Sequence, residues 1–290
     1  MYSKIKIGVG VTTRNRHEIL TYFLTHLYDF TDMNKYDLCI VVNDDSDESK
    51  KQETEKAVSE FAFSFNDINY ITMKERCGIS KSKNNCLRHL MKDGCDYLFL
   101  FDDDTFPQEM GWIDLFIDTY KCSAHEHLMY LREVDIIKKI ESSSRCVETY
   151  NNCLGLLLFF TRNAIEKIGG YNEQYGIYGY EHADISNRCN NAGIMGSKNA
   201  AYNTPIGVTK YIYSFDIDYN WFNKLPPIKL SAINDKVNSS IHGEDVQGYI
   251  CESKKVYMSA NERPFYVKLQ NDNRHLNITK YDKGRCNNTI

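Results

Sequence analysis

Three consecutive carboxylates, Asp102, Asp103 and Asp104, follow directly on an apolar run, Tyr97-Leu98-Phe99-Leu100-Phe101. An unbroken apolar run of this length predicts a strand buried on both faces. Adjacent carboxylates cannot stay buried unpaired, so the strand must end at a surface or a cleft. In open α/β sheets ligands collect at the carboxyl ends of the strands. There Asp102 and Asp104 offer oxygen ligands suited to one hard divalent cation, Mn2+ or Mg2+, which could hold a diphosphate. Taken alone, an Asp-x-Asp turn is more often a solvated acidic corner than a metal site. The neighbouring elements change that weighting.

Lys6 to Val11 is a β pattern with small residues, followed by the polar loop Thr12-Thr13-Arg14-Asn15-Arg16. His17 to Tyr28 has helical spacing, with Ile19, Leu20, Phe23, Leu24 and Leu27 on one face. Leu38 to Val42 is a second buried strand and also ends in acids, Asp44 and Asp45, before a polar helix over Glu48 to Phe61. Ile68 to Thr72 is a third strand, and a basic helix begins near Lys81 after the turn Cys77-Gly78-Ile79-Ser80. This β-α-β-α-β-α-β order predicts an α/β fold, a mostly parallel central sheet with helices on both faces. The polar loops near Thr13, Asp44 and Asp102 then line one crevice.

Further on, Pro107 to Tyr120 reads as a helix, 121–150 as a charged excursion, Leu154 to Phe160 as a strand, and Arg162 to Ile168 as a helix stopped by Gly169-Gly170. After a Tyr- and Gly-rich loop comes Glu181-His182-Ala183-Asp184 in helical register. Glu181 and Asp184 share a face, and Asp184 is spaced to pair with Arg188. Pro226-Pro227 marks a boundary, giving residues 1–225 as a catalytic domain and 226–290 as an accessory segment over the acceptor side.

The chain has 290 residues, 42% of them hydrophobic and 26% charged, which fits a globular protein with a substantial core. A net charge of −4 without a basic stripe argues against a nucleic-acid partner. No apolar stretch approaches the ~20 residues of a membrane span. The ten cysteines show no metal-ligand rhythm, and the N-terminus lacks a signal-peptide pattern. Mostly reduced thiols in a cytoplasmic protein are therefore expected, and the sequons at Asn238, Asn277 and Asn287 are read as chance matches.

As an ordered set, these motifs resemble the family 2-like glycosyltransferases of the GT-A fold over residues 5–195. Val11 to Arg16 is similar to the family's first-strand loop at the nucleotide base, and Val41 to Ser46 to its acidic second loop, with Asp44 as the base contact. Gly78 to Asn84 is similar to the glycine-started helix facing the nucleotide, with Lys83-Asn84 where the family usually has Arg-Asn. Asp102-Asp103-Asp104 is similar to the Asp-x-Asp metal motif. Gly169 to Glu173 and Gly179 to Asp184 are similar to the acceptor-side segment.

The resemblance implies a metal-dependent enzyme that moves a sugar from a nucleotide-diphosphate sugar, a UDP-sugar first, to a hydroxyl of a glycan or lipid-linked sugar, with a lean to inversion. It places Thr12, Thr13, Arg14, Arg16, Asp44, Gly78, Lys83, Asp102 and Asp103 at the donor. Asp104 and Asp102 are the metal ligands it implies; where the family often has a third-ligand His this chain has Tyr211 and Tyr213, and His242 is the next candidate. The family's acceptor motif reads Glu-Asp; here His182 follows Glu181, which leaves Glu181, His182 and Asp184 as alternative bases. Arg16 and Lys83 are expected at the phosphates. Trp221 and the tyrosines at 175, 178 and 180 could stack on sugar rings or pack in the core. Two other functions fit parts of the pattern. A sugar nucleotidyltransferase would need a glycine-rich loop after the first strand, and residues 12–16 contain no glycine. A non-catalytic nucleotide- or glycan-binding module would follow if the His182 departure had removed the base.

Overall fold

A computed structural model describes residues 4–65, 67–142, 144–177, 179–195, 202–215, 267–269, 276–282 and 285–289. Its elements run β1 (Ile5–Thr13), α1 (His17–Asp29), β2 (Tyr36–Asp44), α2 (Glu48–Glu60), β3 (Asp67–Met73), α3 (Gly78–Lys92), β4 (Tyr97–Asp102) and β5 (Thr105–Pro107). They continue with α4 (Trp112–Ser123), β6 (His127–Met129), β7 (Lys139–Ile140), β8 (Val147–Tyr150), β9 (Leu157–Thr161), α5 (Arg162–Ile168) and α6 (Glu181–Asn191). Short strands β10 (Tyr202–Pro205) and β11 (Ile212–Ser214) precede a last pair, β12 (Leu276–Asp282) and β13 (Arg285–Thr289).

The main sheet has the order β13-β12-β3-β2-β1-β4-β9-β6. Its centre, β3-β2-β1-β4, is parallel. Strands β9 and β12 flank it antiparallel. The expected α/β sheet is therefore present. Alternate residues of the central strands feed two cores. Val9, Val11, Ile40, Val42, Phe99 and Phe101 pack under α1, α2 and α4. Cys39, Val41, Leu98 and Leu100 pack under α3, α5 and α6. Strands apolar on both faces are what a double-sided sheet requires.

Gly10 explains the small residues of β1. A Cβ there would lie 2.7 Å from Cys86 Cβ and 2.8 Å from Leu100 Cδ2. The missing side chain lets α3 sit close against the sheet, which carries its N-terminus to the crevice.

One local expectation fails. Residues 107–111 are not helical. Thr105–Pro107 instead pairs antiparallel with Ile212–Ser214, a partner 107 residues away in the register that local spacing could not reveal, and the helix starts at Trp112. Among the described residues one pair of cysteines departs from the mostly reduced set: Cys122 and Cys146 form a disulfide, closing the excursion after α4, with Cα atoms 6.3 Å apart. The other described cysteines, Cys39, Cys77, Cys86, Cys95, Cys153 and Cys189, are free thiols. Among the described residues no helix is long and apolar enough to cross a membrane.

Candidate active site

The register of the parallel strands brings the polar loops together. Thr12 lies level with Asn43 of β2 on one side and with Asp102 of β4 on the other. Thr12, Thr13 and Asp44 are buried at this edge.

The acidic turn after β4 distributes its carboxylates differently. Asp103 is fully buried; Thr13 Oγ1 donates to its Oδ2 at 2.6 Å, and Arg16 pairs with its Oδ1. Burial pushes the Asp103 carboxyl up, and the guanidinium pulls it back. Arg16 Nη1 also donates to Asp104 Oδ2 at 3.1 Å. Burial would lower the Arg16 pKa, but the surrounding aspartates, Asp103 above all, hold it above its ordinary value. Arg16, expected at the phosphates, is thus committed to the turn. Asp102 faces α3, where Lys83 Nζ lies 3.0 Å from its Oδ1.

The second loop works as scaffold. Asp44 accepts from Ser46 N at 2.9 Å and from Tyr70 Oη at 2.6 Å, and burial raises its pKa. Its carboxylate oxygens are occupied within the fold, so this arrangement does not present Asp44 to a base. Half-buried Asp45 reaches across instead, accepting from Cys77 N at 2.7 Å and Gly78 N at 3.0 Å. Gly78 adopts φ +76°, and a Cβ there would lie 2.5 Å from Gly176 O. Both facts demand glycine where α3 begins. Arg14 pairs with Asp47 at 3.1 Å on the outer side of the same loop.

Helix α3 ties the donor side to the acceptor side. Lys83 is buried and donates to Gly155 O at 2.8 Å as well as pairing with Asp102. Asn84 Nδ2 donates to Tyr171 O and Glu173 Oε1, each at 2.9 Å, and its Oδ1 accepts from Tyr171 N at 2.7 Å. The Tyr171 hydroxyl is buried without a hydrogen-bond partner among the described residues, in the field of Glu181 and Asp102.

At the start of α6, Glu181 is 3% exposed. Gly179 N donates to its Oε2 at 3.0 Å, and His182 Nδ1 lies 3.1 Å from its Oε1. Burial alone would raise the Glu181 pKa. His182, Lys83 and a backbone amide outweigh burial and bring it to about 2. The His182 side chain is 21% exposed. Asp184 points the other way, into the core. It accepts from Arg188 Nε at 3.1 Å and Tyr175 Oη at 3.2 Å, while Arg188 also donates to Ile168 O and Gly170 O. The Asp184–Arg188 spacing is a structural pair, as the sequence predicts.

A hard cation fits the turn. Asp104 Oδ1 is buried with no hydrogen-bond partner among the described residues, and Asp102 Oδ1 has only the Lys83 ammonium beside it. Both are the oxygen donors that Mn2+ or Mg2+ takes. His242, Trp221 and Tyr178 lie outside the described residues. Tyr175 is buried, and Tyr180 is half-buried. Gly155, Asp45 and Tyr171 were not among the expected site residues. Gly155 has no local signal, because its role comes from Lys83 and His182 converging on one loop.

Comparison with known proteins bears on the family and the fold. Residues 9–129 match the family described as Glycosyl transferase family 2, and residues 136–209 match the N-terminal domain of galactosyltransferase. A relative, the uncharacterized glycosyltransferase R363 of Acanthamoeba polyphaga mimivirus, is 30% identical over 204 residues, 64% of this chain and 74% of the relative. The mannosyltransferase PcManGT of Pyrobaculum calidifontis, solved with GDP-Man and Mn2+, superposes with a TM-score of 0.55 at 15% identity, covering 90% of this chain and 78% of that one. S. aureus TarS 1-349, solved with UDP-GlcNAc, gives 0.51 at 14% identity over 83% of this chain and 68% of that one. Against the longer TarS chain the match spans 40% of its length. At these identities the solved structures attest the fold. Since a glycosyltransferase relative is 30% identical over 74% of its length and both family descriptions fall in tandem along the chain, this chain belongs to the family 2-like, nucleotide-sugar-dependent glycosyltransferases.

Proposed function

We propose that the chain transfers a sugar from a UDP-sugar to a hydroxyl of a glycan or lipid-linked sugar, with inversion, using Mn2+ or Mg2+ held by Asp102 and Asp104. The carrying observation is the Asp104 oxygen without a hydrogen-bond partner among the described residues, in the turn after β4, whose last residue, Asp102, lies level with Thr12. Three carboxylates face two cations at this turn, Arg16 and Lys83. The excess is one negative charge, and a divalent cation reverses it to the sign that attracts a diphosphate.

When bound, the cation supplies Lewis acidity to the leaving diphosphate. The chain's own residues do the rest. Arg16 and Thr13 hold Asp103, so the turn stays rigid, and among the described residues Asp104 keeps one oxygen free. Lys83 holds Asp102 at 3.0 Å and anchors the Gly155 loop that borders His182. Donor and acceptor sides are thereby fixed relative to each other, which is how positioning lowers the barrier. The proposal includes residues 1–225 as the catalytic domain, residues 226–290 as an accessory segment and a cytoplasmic location. The backbone bonds between Val267 and residues 168 and 170, next to the acceptor-side turn, support the placement of that segment.

Calorimetric titration of UDP, GDP, CDP and dTDP, with and without Mn2+, tests the reading on wild type and Asp104→Ala. The expected result is Mn2+-dependent binding of UDP, weakened at least tenfold in the variant. Binding of another nucleotide reassigns the donor. Binding by neither protein, with no nucleotide sugar hydrolysed, overturns the proposal.

A further inference from the structure

We propose that His182 is the catalytic base, acting through Nε2, and that Glu181 is the positioning residue that fixes its tautomer. The inference rests on the glycosyltransferase reading and deepens it.

Of the three candidate carboxylate and imidazole groups on α6, two are committed elsewhere. Asp184 is buried and holds Arg188 and Tyr175. Glu181 is buried with both oxygens engaged, Oε2 by Gly179 N and Oε1 by His182 Nδ1. His182 alone combines partial exposure with a buried orienting partner. A carboxylate held ionised accepts hydrogen bonds and cannot donate one, and Glu181 is held ionised by its surroundings. The proton of the 3.1 Å contact therefore sits on His182 Nδ1. In the neutral ring the lone pair is then on Nε2, which meets no partner among the described residues. The ring is also held in place from the other side. A Cβ at Gly155 would lie 3.3 Å from His182 Nδ1, and the same residue's carbonyl accepts from Lys83. Among the described residues the charged and titratable groups near His182 are Glu181 on its own helix, Cys153 of the preceding loop, whose Sγ lies 3.9 Å from the His182 backbone O, and Lys83, which donates to the adjoining Gly155 carbonyl.

The step balances without any further reagent. The acceptor hydroxyl gives its proton to His182 Nε2 as its oxygen bonds to the sugar's anomeric carbon. The bond from that carbon to the phosphate oxygen breaks, and its electron pair leaves on the nucleoside diphosphate. The imidazolium then returns the proton to solvent. Attack opposite the leaving group inverts the anomeric centre.

Nitrogen-15 NMR of the wild-type chain, with His182 assigned by comparison with His182→Gln, reads the tautomer without any turnover. Protonated Nδ1 and bare Nε2 are expected in the neutral ring; the reverse tautomer overturns the proposal. In Glu181→Gln that preference should be lost, with kcat down about tenfold and the donor KM unchanged. Hydrolysis of UDP-glucose, UDP-galactose, UDP-GlcNAc and GDP-mannose with Mn2+ gives the second readout. His182→Ala and His182→Gln should lower kcat at least about 100-fold, and added imidazole should restore part of it in His182→Ala. A wild-type rate in either variant overturns the proposal even with the expected tautomer. UDP binding measured on the same samples separates the two levels: binding kept with the rate unaffected sinks the base, whereas no UDP binding and no hydrolysis by wild type sinks the glycosyltransferase reading itself.

Discussion

Glu181 has a structural consequence as well as a chemical one, because a buried carboxylate held ionised makes stability depend on pH. Its folded-state pKa, about 2, lies below the ordinary value for glutamate, about 4.3. A depressed carboxyl contributes stability above its unfolded pKa and loses it as pH falls through the folded one. The window here is from about pH 4.5 down to about pH 2, and the full contribution is on the order of 3 kcal/mol. Glu181→Gln should therefore unfold at lower urea at pH 7, and the gap to wild type should close as pH drops towards 2. An equal gap at pH 7 and pH 2.5 would mean that shape, not charge, sets the cost.

The elements behind the site were largely legible. Apolar runs ending in acids marked β2 and β4, and a helical face marked α1, because burial on both sides of a parallel sheet leaves an unmistakable pattern. What the sequence hid was which partner each polar residue takes. Nothing adjacent to Asp44 says that Tyr70 of β3 will occupy it, or that Lys83 will meet Asp102. Nothing near Pro107 announces β11. The Cys122–Cys146 bridge is the same kind of long-range fact, and it yields its own prediction. It closes a sequence separation of 24 residues. By the chain-entropy estimate, a loop of this size adds about 3 kcal/mol. Cys122→Ser, or reductant added to wild type, should lower the melting temperature by several degrees. A melt insensitive to reductant, with both thiols alkylatable in the native protein, would mean that the pair stands reduced and would favour the cytoplasmic location.

At the scale of the whole molecule the question is whether residues 226–290 are an appendage or part of the fold. Backbone contacts tie the described part of that segment to β3 and to the turn before Tyr171. Leu276–Asp282 runs antiparallel along the full length of β3, from Met73 to Asp67, and so covers what would be an open sheet edge. Val267 meets the turn before Tyr171: Gly170 N donates to Val267 O at 2.9 Å, and Val267 N donates to Ile168 O at 3.0 Å. Gly169, at φ +77°, has no room there for a Cβ, which would lie 1.8 Å from Val267 O. That turn is the one Asn84 clamps and Arg188 braces, so the segment supports the acceptor side through backbone contacts. Exposed strand edges of this kind template aggregation. A chain ending at residue 225 should therefore be less soluble, melt several degrees lower and lose hydrogen-exchange protection in β3 and around residues 168–171. Nucleotide binding at the acidic turn, on the far side of β1 from that edge, should suffer less than turnover. If the shortened chain melts with the full one and keeps protection in β3, the segment is an appendage and the ladder with β12 contributes nothing to holding the sheet.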